Sequence, residues 1–401
     1  MPSAATSTPP AFAPSANVAR LQESATLAVA ARARELRAAG RPVIDLAAGE
    51  PDFDTPPFIR AAAAAAVEQG ATRYTATEGI PALRRAIADE ANRRSRATAI
   101  APEEVMVTTG SKQALFNACF ALFGPGDEVL VPVPGWVSYF EMIMLARADA
   151  VSVMGDPSHG LKVTADDLAR RATPRTRGVI LNSPTNPTGA VYSADELRAI
   201  LELADARGWW VIADEIYRRV AYPSPAPSVL DVLESRERLV LVDGVAKAFA
   251  MTGWRLGWSV APRAVTATMA ALQSHVTSNA AAVSQHAALA ALTRPEESDA
   301  AVGAMVSAFA ERRDAAVRLL DQSGVRYVRP DGAFYLYLHV ADAAPGAEDA
   351  GAVIARRLLD EHLVAVVPGS AFGTPQWIRV SYAASLDQVR AGVERIIATV
   401  A

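Results

Sequence analysis

The chain has 401 residues, of which 51% are hydrophobic, so it is long enough for two domains with substantial cores. Its formal net charge is only −4 and no long block of like charge occurs, which argues against a dedicated nucleic-acid surface. No run of about 18 strongly apolar residues is present, so we expect no membrane partner. The single cysteine, Cys119, excludes an intrachain disulfide and suits a cytoplasmic protein.

The first nineteen residues are uncharged and rich in alanine, proline and serine. They lack the basic start of a signal peptide and the arginines of a transit peptide. We therefore expect residues 1–19 to form a disordered leader.

Short apolar runs alternate with helical patterns through the middle of the chain. APEEVMVTTG predicts a strand ending in a turn, and SKQALFNACFALF predicts the helix that follows, with Cys119 buried in it. Further strands are predicted by DEVLVPVP, GVILNSP, WWVIADE and RLVLVDG. Ser193 and Glu196 have the spacing of a capping box at a helix start. The alternation predicts an α/β fold with a largely parallel sheet covered by helices on both faces.

The pattern changes after about residue 300. A long helix around FAERRDAAVRLLDQSG is followed by predicted strands (VRYV, AFYLYLHV, LVAVVPG and WIRVSYA) and by a helix within them (GAVIARRLLDEH). The last predicted helix has one apolar face, formed by Leu386, Val389, Val393, Ile396, Ile397 and Val400. Helices and strands of this kind predict a smaller α+β domain.

Polar residues cluster where the predicted strands end, at Gly110, Asn186, Asp214 and Lys247. In open α/β sheets ligands bind beyond the carboxyl ends of the strands. Asp214, in ADEIY, would need a positive partner or carry a large desolvation cost if it is buried at a strand end. Tyr217 lies three residues later, and the rigid NSPTNPTG turn places the Asn186 amide at the sheet edge.

Lys247 is one of only three lysines, against thirty-six arginines, and it lies in the apolar stretch AKAFAMTGWRLG. Apolar surroundings favour the neutral amine, which condenses with carbonyl compounds to form a Schiff base. The Gly-Ser turn in TTGSKQAL opens a helix whose N–H groups favour an anion, and the planar fork of Arg255 matches a phosphate. A lysine for an aldehyde, an anion site for a phosphate and a carboxylate for a ring nitrogen together match pyridoxal 5′-phosphate.

With these residues in this arrangement, the chain resembles the class I aminotransferases, which are fold type I pyridoxal-phosphate enzymes. Within that family it is most similar to the bacterial aspartate/prephenate branch. The similarity extends from about residue 20 to the C-terminus and rests on motifs in the family's order: AAGEPDFDTP, YTATEGIPALRRAIA, NSPTNPTG, ADEIY, AKAFAMTGWRLG and WIRVSYA. It implies a large domain with a mostly parallel seven-stranded sheet (residues 49–300) and a small C-terminal domain (residues 301–401). Residues 20–48 would form an N-terminal segment that packs with the small domain.

The resemblance implies roles around the cofactor. Lys247 would hold it as a Schiff base and carry the proton of the reaction, and Asp214 would keep the pyridine nitrogen protonated. Asn186 and Tyr217 would hydrogen-bond the phenolic oxygen, and Trp136, in PVPGWVSY, would stack on the ring. The phosphate would be surrounded by Gly110, Ser111, Lys112 and Arg255, with Tyr74 of the partner subunit in a homodimer with shared sites.

The implied substrate site comprises Gly49, Trp136, Asn186, Arg379, Lys112, Ser278 and Gln22. Arg379 would clamp the α-carboxylate, helped by the backbone at Gly49. Gln22 stands where the branch has a lysine near the distal carboxylate, so Lys112 would be the main cation there. A second departure precedes Lys247, where Gly244 and Ala246 replace hydroxyl residues of many members.

The expected activity is therefore amino transfer between an L-amino acid, aspartate or glutamate in first place, and a 2-oxo acid by a ping-pong mechanism. An aromatic, alanine or prephenate aminotransferase, or a carbon–sulfur lyase, remains an alternative on the same scaffold. A ligand-sensing regulator is a remote one, because such a protein needs a DNA-binding unit before the domain. We expect no metal site.

Overall fold

A computed structural model of the chain describes residues 12–21, 25–223 and 225–401, without the side chains of residues 25–28 and 30. Gln22 and residues 1–11 of the expected leader lie outside these ranges. No helix in the described ranges is long and apolar enough to cross a membrane.

The described residues contain twelve α-helices, and their bounds are α1 (Ala25–Ala38), α2 (Pro57–Glu68), α3 (Pro81–Asn92), α4 (Ser111–Leu122), α5 (Ser138–Leu145), α6 (Ala165–Arg171), α7 (Ala194–Arg207), α8 (Arg263–Val276), α9 (Ala282–Thr293), α10 (Pro295–Ser323), α11 (Ala350–His362) and α12 (Leu386–Val400). The strands in the same ranges are β1 (Ile44–Asp45), β2 (Val105–Thr108), β3 (Glu128–Val133), β4 (Asp149–Met154), β5 (Thr176–Asn182), β6 (Trp210–Asp214), β7 (Leu239–Gly244), β8 (Gly257–Val260), β9 (Tyr327–Val328), β10 (Tyr335–His339), β11 (Val364–Ala365), β12 (Val367–Pro368) and β13 (Trp377–Ser381).

Seven strands form one large sheet in the order β2-β8-β7-β6-β5-β3-β4. All neighbours pair in parallel except β8, which runs antiparallel to both β2 and β7. Each predicted strand of the middle region is present, and the expected mostly parallel seven-stranded sheet is confirmed.

Helices cover both faces of this sheet, as the uniformly apolar strands require. On β6, Val211 and Ala213 point into one core whereas Ile212 points into the other. Because successive side chains of a strand point to opposite faces, this alternation shows that neither face meets solvent. Cys119, on α4, is fully buried in the second core.

The capping box predicted at Ser193 and Glu196 is also confirmed. The Ser193 hydroxyl accepts a hydrogen bond from the Glu196 backbone N–H, and the Glu196 carboxylate accepts one from the Ser193 N–H, which completes the capping box at the start of α7.

The C-terminal part forms a small antiparallel sheet in the order β12-β13-β10-β9. The apolar face of α12 packs against α10 and α11, and its Val389, Val393 and Ile396 are buried in the core that lies beside this sheet. The same core receives Tyr217 and Val220 from the segment that follows β6. The carboxyl end of β6 therefore lies where the large and small sheets meet.

Candidate active site

Lys247 lies three residues beyond the end of β7, at the junction of the two sheets. Its amine donates a hydrogen bond to the carbonyl oxygen of Gly49 and lies 5.7 Å from the ring centre of Tyr217 and 5.9 Å from that of Phe334. The residue as a whole is half-buried, but its amine is enclosed. Desolvation lowers the pKa of Lys247 to about 8, against an opposing attraction to Glu50. A useful fraction of this amine is therefore neutral near pH 7.

Asp214 is the last residue of β6 and is 4% exposed. Its carboxylate accepts a hydrogen bond of 2.7 Å from the Tyr139 hydroxyl and one of 3.2 Å from the backbone N–H of Ile216. Burial raises the pKa of Asp214 to about 6, and these two hydrogen bonds oppose the rise. The carboxylate is thus mainly ionised at pH 7.

Tyr217 extends from the turn after β6 toward the small sheet. Its hydroxyl is hydrogen-bonded to that of Tyr335, 2.8 Å away, on β10. Burial, followed by the influence of Tyr335, raises the pKa of Tyr217 well above 10, so Tyr217 remains a neutral donor. This hydrogen bond joins the turn after β6 of the large sheet to β10 of the small sheet.

The start of α4 is packed unusually closely. Gly110 has a φ of +76°, and a Cβ built there would lie 2.8 Å from a guanidinium nitrogen of Arg255. A Cβ on Gly257 would lie 2.3 Å from the Ser111 nitrogen, and one on Gly244 would lie 2.6 Å from the Ser111 hydroxyl oxygen. These three glycines let the helix start approach the ends of β7 and β8. As the backbone stands, a hydroxyl side chain at position 244 has no room.

This helix start combines N–H groups with a cation. Arg255, in a left-handed conformation with a φ of 51°, places its guanidinium against Gly110 and donates to the Thr252 carbonyl. The Ser111 hydroxyl donates to the Asp243 carbonyl at 2.9 Å and so ties α4 to the end of β7. The arrangement suits an anion, because the backbone N–H groups at the start of α4 lie beside the planar guanidinium group of Arg255.

Arg379, on β13, is 2% exposed. It donates to the side-chain oxygen of Asn186 at 3.0 Å and to the Ala47 carbonyl at 2.9 Å. Its guanidinium carbon lies 4.4 Å from the ring centre of Tyr335 and 5.1 Å from that of Phe372. Its Nε–H is buried and has no hydrogen-bond partner among the described residues. A buried guanidinium group that is fixed in orientation and has an unused N–H donor suits a carboxylate ligand.

The hydrogen bond to Arg379 also orients Asn186. Because the side-chain oxygen of Asn186 already accepts from Arg379, its NH2 group is the part that can donate to a ligand.

Lys112 and Trp136 form the outer wall. The Lys112 amine lies 4.7 Å above the indole ring, a cation–π contact. Desolvation of the amine, followed by the charge of Arg255, lowers the pKa of Lys112. The Trp136 ring packs edge-to-face on Tyr139, with ring centres 5.4 Å apart.

Three predicted residues are not brought into this group. Tyr74 is 91% exposed, beside a surface depression that it lines with Asn279. Ser278 adjoins this depression and has a φ of 58°. Gln22 lies outside the described residues.

Two residues of the site were absent from the sequence analysis, Tyr139 and Tyr335. Tyr139 had a partial signal, because it follows Trp136 by three residues in PVPGWVSY and a helical turn there would place both side chains on one side. Tyr335 had none, since it looks like an ordinary buried strand residue in AFYLYLHV.

Comparison with known proteins places this geometry in a family. The sequence model of the family "Aminotransferase class I and II" matches residues 41–396 of the chain. An aspartate aminotransferase of Geobacillus stearothermophilus is 42% identical over 384 residues, 94% of this chain and 96% of the relative. An aspartate/prephenate aminotransferase of Cereibacter sphaeroides is 42% identical over 395 residues, with 94% and 96% covered. The structure of Thermus thermophilus aspartate aminotransferase with maleate superposes with a TM-score of 0.92 at 41% identity, over 97% of this chain and 100% of that one. The chain therefore belongs to the class I and II aminotransferase family and is an aminotransferase of the aspartate aminotransferase-like type.

Proposed function

We propose that the protein moves an amino group between L-aspartate or L-glutamate and a 2-oxo acid by a ping-pong mechanism, with pyridoxal 5′-phosphate held by Lys247. Family membership implies this cofactor. The proposal rests above all on the enclosed Lys247 amine, whose pKa of about 8 makes it available as a nucleophile and a base.

The residues present fit the cofactor at each of its ends. The glycine-lined start of α4 and Arg255 suit the phosphate, since a Cβ at Gly110 would reach the guanidinium. Asp214, buried and mainly ionised, suits a protonated ring nitrogen. When bound, the cofactor supplies an electron sink for the bond broken at the substrate α-carbon.

The chain's own side chains then orient and move protons. Tyr217 and the NH2 group of Asn186 would donate to the phenolic oxygen of the cofactor. The neutral Lys247 amine would accept the proton from the substrate α-carbon. Trp136 would cover one face of the ring.

Two cations would choose the substrate. Arg379 would bind the α-carboxylate through its unused Nε–H and its remaining Nη–H groups. Lys112, above Trp136 at the start of α4, would attract a distal carboxylate. The names of the relatives, aspartate and aspartate/prephenate aminotransferase, support a dicarboxylate substrate.

The site would be completed by a second copy of the chain. Tyr74 exposes an aromatic ring and hydroxyl that make no contact with the residues around Lys247. We propose that Tyr74 and Ser278 of each copy serve the site of the other in a homodimer.

The proposed chemistry is tested by trapping and turnover. Purified protein should be yellow, and borohydride should fix the cofactor on the peptide that contains Lys247. Label on Lys112 or Lys162 would refute the assignment. Initial rates for aspartate, glutamate, alanine and phenylalanine as donors to 2-oxoglutarate or oxaloacetate, and for prephenate as an acceptor from aspartate or glutamate, would then rank the substrates.

The substrate proposal has its own test at Lys112. Losing one charge-assisted contact costs about 1.5–3 kcal/mol, or a factor of roughly 10 to 150 in kcat/KM. Lys112→Ala should lower kcat/KM for aspartate by that factor and leave alanine nearly unchanged. Lys162→Ala is the matched control, because it removes the same charge from an ion pair with Glu196. An equal loss for both substrates in Lys112→Ala would assign the lysine to the cofactor or the fold.

A further inference from the structure

The Asp214 carboxylate accepts few hydrogen bonds. Within the described residues its carboxylate forms no ion pair with a lysine, arginine or histidine, and it accepts one side-chain hydrogen bond, from Tyr139. The remaining donor is the Ile216 backbone N–H, which bonds the other carboxylate oxygen at the longer distance of 3.2 Å. The side-chain partner is therefore a neutral hydroxyl.

Tyr139 is held firmly in place to make this contact. It lies in the first turn of α5, is 3% exposed, and its backbone N–H donates to the Trp136 carbonyl at 3.0 Å. Its ring meets the Trp136 indole edge-to-face, with an interplanar angle of 89°. A hydroxyl enclosed in this way cannot turn to water, so its hydrogen bond to Asp214 has no competitor.

We infer that Tyr139 is a positioning residue, which holds the Asp214 carboxylate ionised and directed at the proposed cofactor's ring nitrogen; this inference rests on the proposed function. Residues 136–139 would thereby make two contributions to cofactor binding. Trp136 would cover the face of the ring, and Tyr139 would orient Asp214, the residue that pairs with the ring nitrogen.

The electrostatic surroundings show why such a donor is needed. Burial, with a smaller contribution from the Asp243 carboxylate, raises the pKa of Asp214 to about 6. The Tyr139 hydroxyl, the Ile216 N–H and the charge of Lys247 act in the opposite direction. Burial, followed by the charge of Asp214, raises the pKa of Tyr139 well above 10, so Tyr139 stays protonated and can only donate. Without it, more of the Asp214 carboxyl would be protonated at neutral pH, and a neutral carboxyl cannot hold the nitrogen's proton.

The test uses Tyr139→Phe, which removes the hydroxyl and keeps the ring. In the protein freed of cofactor, carbon-13 NMR of labelled aspartate should show the Asp214 pKa about one unit higher than in the wild type. The dissociation constant of pyridoxal phosphate should rise roughly 10- to 150-fold, as expected for a lost hydrogen bond to a charged group. Tyr192→Phe is the control, since it removes an equally buried tyrosine hydroxyl that bonds the Val163 N–H instead. It should leave the Asp214 titration unchanged.

A double-mutant cycle separates positioning from support of the fold. In an Asp214→Asn background Tyr139→Phe should change the cofactor dissociation constant by less than about threefold, because the partner charge is already gone. Equal losses in both backgrounds, or an unshifted Asp214 titration, would overturn the inference.

A second variant covers the case in which Tyr139→Phe does not fold. Fluorotyrosine at position 139 keeps the shape and donates more strongly, so it must lower the Asp214 pKa; a pKa that rises or stays constant would refute the role. If wild-type protein binds no pyridoxal phosphate, the proposed function fails, whereas the NMR titrations still decide the Tyr139–Asp214 coupling.

Discussion

At the scale of single residues, the protein controls reactivity through burial. An ordinary lysine has a pKa near 10.4, so about one amine in 2,500 is neutral at pH 7. Desolvation brings the pKa of Lys247 to about 8, where roughly one in ten is neutral at pH 7. The chain thus obtains a nucleophile at neutral pH without a neighbouring base.

This pKa predicts a pH dependence for loading the cofactor-free protein. The neutral amine reacts, so the rate of covalent attachment of pyridoxal phosphate should rise about tenfold per unit at low pH. It should level off above the Lys247 pKa of about 8. Stopped-flow absorbance between pH 6 and 10 measures the profile, with Lys247→Ala as the blank. A rate that keeps rising beyond pH 9.5 would show an ordinary lysine.

How far the site could be predicted also differs between residues. Lys247 and Asp214 stand out because a lone lysine and a carboxylate are conspicuous in apolar runs. The hydrogen bond from Tyr139 to Asp214 joins residues 75 positions apart, and no local pattern encodes such a contact. The surface position of Tyr74 likewise depends on the three-dimensional fold.

At the scale of secondary-structure elements, the start of α4 is fitted between two strand ends by small residues. Gly110, Gly244 and Gly257 each stand where a Cβ would meet the helix start or Arg255 within 3 Å. Glycine is required here for close approach, and at Gly110 also for its positive φ.

Gly110→Ala tests this fit, with Gly126→Ala as a matched control. Both glycines have positive φ values, +76° and +91°, but a Cβ at Gly126 would meet nothing within 4 Å. Each substitution should therefore destabilise the fold by a similar 1–2 kcal/mol or so from backbone strain. Only Gly110→Ala should displace Arg255 and weaken cofactor binding, by about 10-fold or more. Fluorescence titration and thermal unfolding measure the two effects, and equal cofactor affinities would contradict the fit.

The strands themselves were unevenly predictable. Five of the large sheet's strands have continuous apolar runs, because they are buried on both faces. β4 has a largely solvent-accessible pattern at the sheet edge, and β8 (GWSV) contains a glycine and a serine, so neither gave a clear local signal. Their presence followed from the family resemblance instead.

At the scale of the whole molecule, one chain supplies Lys247 and Arg379 to the same site but leaves Tyr74 on its surface. Arg379 donates hydrogen bonds to Asn186 and Ala47 of its own chain, which fixes the proposed substrate clamp within one chain. Tyr74 is 91% exposed, so its proposed role requires a partner.

Mixing variants tests the shared site. Lys247→Ala and Tyr74→Ala should each be nearly inactive alone, whereas their mixture should regain up to about a quarter of wild-type activity, because half of the dimers would be hybrids with one intact site. Lys247→Ala mixed with Arg379→Ala is the control. Both residues belong to one chain's site, so those hybrids should stay inactive. Failure of the first mixture under conditions of demonstrated subunit exchange would show that each site is built from one chain.

The position of β8 between β2 and β7 has a consequence for synthesis on the ribosome. β2 emerges early, yet its sheet neighbour β8 follows only after residues 109–256. Until then β3 to β7 can pair with one another, whereas β2 has no neighbouring strand to pair with. When β8 inserts, Gly257 meets Ser111 and Arg255 reaches Gly110 in the same step. We therefore expect the nascent chain to close its sheet and form the proposed phosphate site together, so that pyridoxal phosphate would act by mass action as a late folding ligand.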